Sequence, residues 1–135
     1  MIDFQAAVTE FHRLYGLPVG DHAAPAMLSP ERRELREDLI QEEADEIFLA
    51  GDLPNLAQEL ADIIYVAVGY AVELGIDIGA VFQEVHFSNM SKLDDNGLPV
   101  FRPDGKVMKT DNYFPPDVAS VIAQQGALPR IKEIR

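Results

Sequence analysis

Five carboxylates within a short span constrain this chain more than any other feature. Glu42, Glu43 and Glu46 lie in one expected helix, twelve residues intervene, and Glu59 and Asp62 follow in the next. At about 100° per residue, Glu42 and Glu46 fall either side of Leu35, flanked by Leu39 and Leu49. Glu59 shares a stripe with Leu56, Ile63, Val66, Tyr70 and Leu74, and Asp62 lies at its edge. The acids are therefore expected to point toward the core. Burying ionised carboxylates without compensation costs several kcal/mol per group, roughly, so they must be protonated, paired with cations or bound to metal. Arg32, Arg33 and Arg36 lie one or more turns upstream, and residues 53–74 contain no basic side chain. Metal is the expectation that follows.

The rest of the composition narrows the partners. The 135 residues suit one domain with a real core, and 47% hydrophobic with 25% charged residues is globular in balance. A net charge of −12 argues against a nucleic-acid partner, because phosphate backbones want Lys and Arg clusters. It still permits a phosphate ester bridged by divalent cations. With no cysteine, disulfides and thiolate sites are excluded. MIDFQAAVTEF lacks the basic and apolar regions of a signal peptide, and the run from Ile63 to Val72 falls short of the ~20 residues of a span. A cytoplasmic protein away from membranes is the expectation.

Helical spacing of Phe4, Ala7, Val8, Phe11 and Leu14 predicts a first helix over 3–15, with Phe4 and Phe11 as core. Ser29-Pro30 reads as the start of a second, running to about Ala50. Pro54 sits in the first turn of a third, which stops at Gly75. Asp77 can cap a fourth, on which Ile78, Phe82, Asn89 and Leu93 share an inward face. Helix three is apolar nearly all round, which predicts cover on both sides and hence a homo-oligomer, a dimer or a dimer of dimers. Beyond Leu93, Leu98–Phe101 and Val107–Lys109 flank Pro103-Asp104-Gly105 as a short hairpin. A brief helix near 117–124 and a basic tail, Arg130 to Arg135, follow. The fold class is thus all-α, an antiparallel four-helix bundle. One domain, 1–135, has a helical core at about 3–93 and a loop and hairpin extension at 94–135.

Glu43 and Glu46 are three apart, as are Glu59 and Asp62, so each pair projects from adjacent turns of one face. Two antiparallel helices bearing such pairs can surround hard cations with oxygen, and Mg²⁺ needs only one or two carboxylates plus substrate phosphates. Four or five acids can hold two or three ions. A di-iron bundle would need Glu-x-x-His on two helices, and His12, His22 and His86 all lack that Glu. Lys106 and Lys109, near Arg102, are cations on a loop of an otherwise acidic chain and suit phosphate. His12 and Tyr15 could line a base pocket.

Glu42-Glu43-x-x-Glu46 with Glu59-x-x-Asp62 resembles the signature of the all-α nucleoside triphosphate pyrophosphohydrolases, which include MazG, dimeric dUTPases and phosphoribosyl-ATP pyrophosphohydrolase. The likeness extends through Asn89-Met90-Ser91-Lys92 and Asp104-Gly105-Lys106, and is nearest the MazG-like branch with dUTP-hydrolysing members in Deinococcus. The short gap between the acid pairs is also more like that branch than like the dimeric dUTPases. The resemblance implies a MazG-like bundle, Mg²⁺ or Mn²⁺, and hydrolysis between the α and β phosphates of a nucleoside triphosphate, with dUTP the expected substrate. It implies Glu43, Glu46, Glu59 and Asp62 as metal ligands, Glu42 as a further ligand or positioner, and Glu43 or Glu42 as the base for the attacking water. Lys92 would meet a phosphate and Asn89 would orient the nucleotide. Two alternatives remain open: a phosphoribosyl-ATP pyrophosphohydrolase of histidine synthesis, and a non-catalytic acidic helical regulatory dimer.

Overall fold

The computed structural model describes residues 1–127; the basic tail lies outside the described residues. Five helices carry the described chain: α1 (Phe4–Leu14), α2 (Pro30–Leu49), α3 (Leu53–Leu74), α4 (Ile78–Met90) and α5 (Val118–Ala127). The protein is all-α. No single described helix is long and apolar enough to cross a membrane. Its contacts gather into two compact units, Met1–Ile78 and a second beginning at Gly79.

The helix starts follow the local chemistry. Asp3 accepts from the Ala6 amide at 3.0 Å, Ser29 from Arg32 at 3.3 Å and Asp52 from Asn55 at 2.8 Å, each satisfying an amide that has no partner within its helix. Proline occupies the first turn of α2 and of α3, where a missing N–H costs nothing. Gly75 ends α3 in the left-handed region, φ 77°.

In the first unit α3 is central, with α1 and α2 packed on it. Val8 of α1 meets Val68 and Val72 of α3, and Ile78 packs partly buried against them. The loop after α1 covers the C-terminal end of α3: Gly20 donates to Val72 O at 2.8 Å and Ala26 to Leu74 O at 3.1 Å. These bonds add partners to carbonyls of the last helical turn. Gln5 closes the other side, donating to Ile76 O at 2.7 Å and accepting from Ile78 N at 3.0 Å.

The second unit is held by short polar side chains. The buried Ser88 donates through Oγ to Phe114 O at 2.8 Å, and Ser91 Oγ accepts from Phe114 N at 3.1 Å. The expected hairpin is realised as a single antiparallel bridge, Phe101 to Val107; no strand forms among the described residues. Asp117 caps α5, accepting from Ser120 N at 3.1 Å.

Three expectations need correction. Phe4 and Phe11 are 55% and 37% exposed, because Val8 and His12 instead take the buried face of α1. Helix four ends at Met90, with Leu93 beyond it in a turn, and Asn89 is exposed rather than inward. Leu49, expected to flank the acids, is 81% exposed at the end of α2.

Candidate metal centre

Glu43 and Glu46 of α2 converge with Glu59 and Asp62 of α3. One carboxylate oxygen from each lies within 4.8 Å of all the others. Ligands on opposite sides of a cation with bonds of about 2.1 Å stand roughly 4.2 Å apart, so the group is close to a coordination shell. All four donors are oxygen, which selects hard divalent cations over soft metals.

The expectation that the acids turn inward holds unevenly. Glu59 is buried and Glu43 and Asp62 are half-buried, whereas Glu46 and Glu42 are exposed. Glu42 is also outside the converging four. The helical wheel fixes which acids share a face but not how wide a face is covered, and only Arg36 is fully buried on α2.

Two oxygens test whether the site fits a metal. Glu43 Oε2 and Glu59 Oε2 are buried and have no hydrogen-bond partner. Buried acceptors left in that state are costly, and a cation between the helices satisfies both. The electrostatics agree. Glu59 is pushed up to about 7 by its hydrogen bond with Glu46, by burial, and by the charges of Glu46, Asp62 and Glu43. Glu43 is raised chiefly by burial, with Glu46 and Asp62 adding to it. Crowded like charges hold their protons; a divalent cation reverses that preference. Among the described residues none of the four acids forms an ion pair with Arg or Lys.

The remaining candidate residues sit elsewhere. His12 is buried, its Nδ1–H donating to Pro18 O at 2.8 Å. Tyr15 is 70% exposed and its ring stacks on Phe11, which meets Tyr65 edge-on at 5.7 Å. In the second unit Arg102 forks onto Asp104, with Nε to Oδ1 at 3.1 Å. Lys109 Nζ stands 4.7 Å over the Tyr113 ring. Lys92 is half-buried just past α4, and Lys106 is exposed.

A group that the sequence reading passed over lies further along the same helices. Glu73, with a fully buried side chain, takes a bidentate pair from Arg32, Nε to Oε1 at 3.0 Å and Nη2 to Oε2 at 2.7 Å. Arg36 Nη1 stands 3.5 Å from the same Oε2, and its Nη2 donates to Val66 O at 2.7 Å. Gly69 makes room: a Cβ there would run into Arg36 and His12. The signal was present as a lone acid near the end of an apolar helix, facing arginines noted only as distant from the other acids.

The family model for phosphoribosyl-ATP pyrophosphohydrolase matches residues 8–89, which include all four converging acids. No curated protein matches the chain. Among solved structures, it is similar to a provisionally assigned NTP pyrophosphohydrolase from Exiguobacterium sp. 255-15, at 24% identity over 99% of each chain with a TM-score of 0.43. With more than half its length matched and its four converging acids inside the match, the chain belongs to the phosphoribosyl-ATP pyrophosphohydrolase family, among the all-α NTP pyrophosphohydrolases.

Proposed function

We propose that the protein is a divalent-metal-dependent nucleoside triphosphate pyrophosphohydrolase that cleaves a (d)NTP, with dUTP the expected substrate, to the monophosphate and pyrophosphate. The observation that carries this reading is the convergence of Glu43, Glu46, Glu59 and Asp62 around two unpartnered buried oxygens. These four would hold Mg²⁺, with Mn²⁺ able to replace it, and the count of oxygens suits two or three ions once substrate phosphates contribute. A bound cation supplies charge that offsets carboxylates and triphosphate together and makes a water more acidic.

The chain's own groups do the rest. A water oxygen bonds to phosphorus, the α–β bridging oxygen leaves with pyrophosphate, and the water's proton passes to a carboxylate. Glu42 and Glu43 are the two candidates. Glu43 belongs to the converging four, whereas Glu42 is the adjacent exposed carboxylate, which leaves Glu42 free to accept a proton. Lys92, Lys106 and Lys109 would meet phosphate oxygens, and Asn89 would orient the nucleotide. Arg102 can join them only by releasing Asp104. Tyr15, exposed beside Phe11, would offer its ring to a base, whereas the buried His12 is bonded to Pro18 O.

A homo-oligomer is part of this reading. Leu60, Ile64 and Tyr65 of α3 are 47%, 44% and 40% exposed, and Ile64 and Tyr65 border an apolar cavity of about 200 Å³ with Phe4 and Ala61. A second copy covering that face would remove it from water, and the loop lysines would then act within one subunit or across two. Sedimentation velocity would read this as a dimer or tetramer; a monomer at micromolar concentration would remove the claim.

The second reading, phosphoribosyl-ATP as substrate, is favoured by the description of the matched family. A turnover panel separates the two. The protein is incubated with dUTP, dTTP, dCTP, dATP, dGTP, ATP, UTP and phosphoribosyl-ATP, with Mg²⁺ or EDTA, and the products are resolved. Mg²⁺-dependent release of pyrophosphate from dUTP is the expected result. Turnover of phosphoribosyl-ATP alone would replace the substrate, and silence on every compound would remove the enzyme.

A further inference from the structure

We infer that the buried Arg32, Arg36 and Glu73 group is the register clamp of the α2/α3 pair, and that it positions the four carboxylates. The metal part of this inference rests on the reading above; the register part does not.

The argument is one of spacing. Arg32 faces Glu73 through two hydrogen bonds. Eleven residues further along α2 stands Glu43, and eleven back along α3 stands Asp62. Eleven residues are about three helical turns, so both steps return to the same face. Three more residues in each direction lead to Glu46 and Glu59, and these pairs are in the group that converges. One antiparallel register therefore satisfies the ion pair and the carboxylates together. A slip of one turn, about 5.4 Å, would break both.

The carboxylates are poorly suited to set that register themselves, since without a cation they crowd like charge between the helices. Apolar contact does not set it sharply either. The buried hydrophobic core of this unit joins Val8 of α1 to Val68 and Val72 of α3, and α2 contributes only Arg36 to the fully buried set. What α2 offers α3 in the interior is the guanidinium that reaches Val66 O and Glu73. Directional, buried polar pairs fix register better than greasy ones do. Gly69 completes the device by letting the Arg36 guanidinium lie against the α3 backbone.

The test compares metal binding with helix register in the full chain. Because the protein has no cysteine, spin labels at D45C and Q58C, both exposed positions, report the α2–α3 distance in EDTA without other labelling. Mn²⁺ titration followed by electron paramagnetic resonance reports affinity on the unlabelled chain. The variants are Glu73→Gln, the paired replacement Arg36→Met with Glu73→Leu, and Arg32→Lys; Glu34→Ala, at an exposed position of α2, is the control.

The paired apolar replacement is expected to stay helical. Its distance distribution should broaden or shift by about one turn, and Mn²⁺ affinity should fall at least about tenfold. Arg32→Lys, at a side chain 32% exposed, keeps the fold and should weaken Mn²⁺ a few-fold, so it decides the matter where the others fail to fold. A purely structural pair would lower the melting temperature and leave the distance and affinity of the folded protein alone; that result overturns the inference. If the unaltered protein takes no Mn²⁺ while the variants still lose the narrow distance, the metal reading fails and the clamp stands.

Discussion

Two groups of interior charge lie on the same helix pair, about 16 Å apart along its axis. At one, Glu73 is matched by two guanidiniums, and the side chain is sealed from water. At the other, Glu43, Glu46, Glu59 and Asp62 face each other with no basic partner, and two of their oxygens have nothing to bond. The first group shows that this fold can neutralise a buried carboxylate from within, with its own arginines. Leaving the second group unneutralised is a cost to the folded chain, and it is a cost that a bound divalent cation would remove. The protonation behaviour reflects the same contrast: Arg32 is held charged by its bond to Glu73, whereas Glu59 resists giving up its proton.

The largest effect expected is on turnover. Glu59→Gln or Asp62→Asn should lower Mg²⁺-dependent pyrophosphate release by about a hundredfold or more, and Glu46→Gln should do likewise while leaving helicity intact. Without metal, these variants should melt no lower than the unaltered chain, since each removes repulsion among the acids. Full activity in Glu46→Gln would dissolve the distinction between the two groups.

Breaking the Glu73 group should lower stability as well as loosen the register. Glu73→Gln leaves two guanidiniums without their partner and should cost about 3–5 kcal/mol, read from chemical denaturation. Gly69→Ala pushes a methyl into Arg36 and His12 and should cost about 1–3 kcal/mol. If Glu73→Gln unfolded no more readily than the unaltered chain, the pair would be ornamental.

The acids also predict a pH dependence. Glu59 ionises near 7 in the folded protein against an ordinary value of 4.5. Below 4.5 both states hold the proton; between there and 7 the unfolded chain ionises first, so metal-free stability drains away as pH rises through that window. Melting curves in EDTA, taken as the difference between the unaltered protein and Glu59→Gln, should show the fall, and excess Mg²⁺ should flatten it. A difference independent of pH would mean that Glu59 titrates normally. The smallest effect belongs to Arg33→Ala, whose exposed pair with Glu37 should be worth less than about 1 kcal/mol.

How far the sequence could be read differs along the chain for a physical reason. Ser29-Pro30, Pro54 and Gly75 marked helix ends because the chemistry of helix ends is local, and each forms as expected. The convergence of the acids was legible because spacing of three within each helix fixes a shared face. Burial was less so. Phe4, Phe11 and Leu49 are large and apolar yet partly or largely exposed, since which face of a helix is covered depends on neighbours that periodicity does not name. The Glu73 group is not legible in the sequence because Arg32 and Glu73 are 41 residues apart and nothing in either helix alone pairs them.

The most direct test of the account is anomalous diffraction from crystals grown with Mn²⁺. The account predicts a peak between α2 and α3 within coordination distance of Glu43, Glu46, Glu59 and Asp62, and no peak beside Glu73. Crystals that bind Mn²⁺ elsewhere, or that leave those four carboxylates without a metal at saturating concentration, would contradict it.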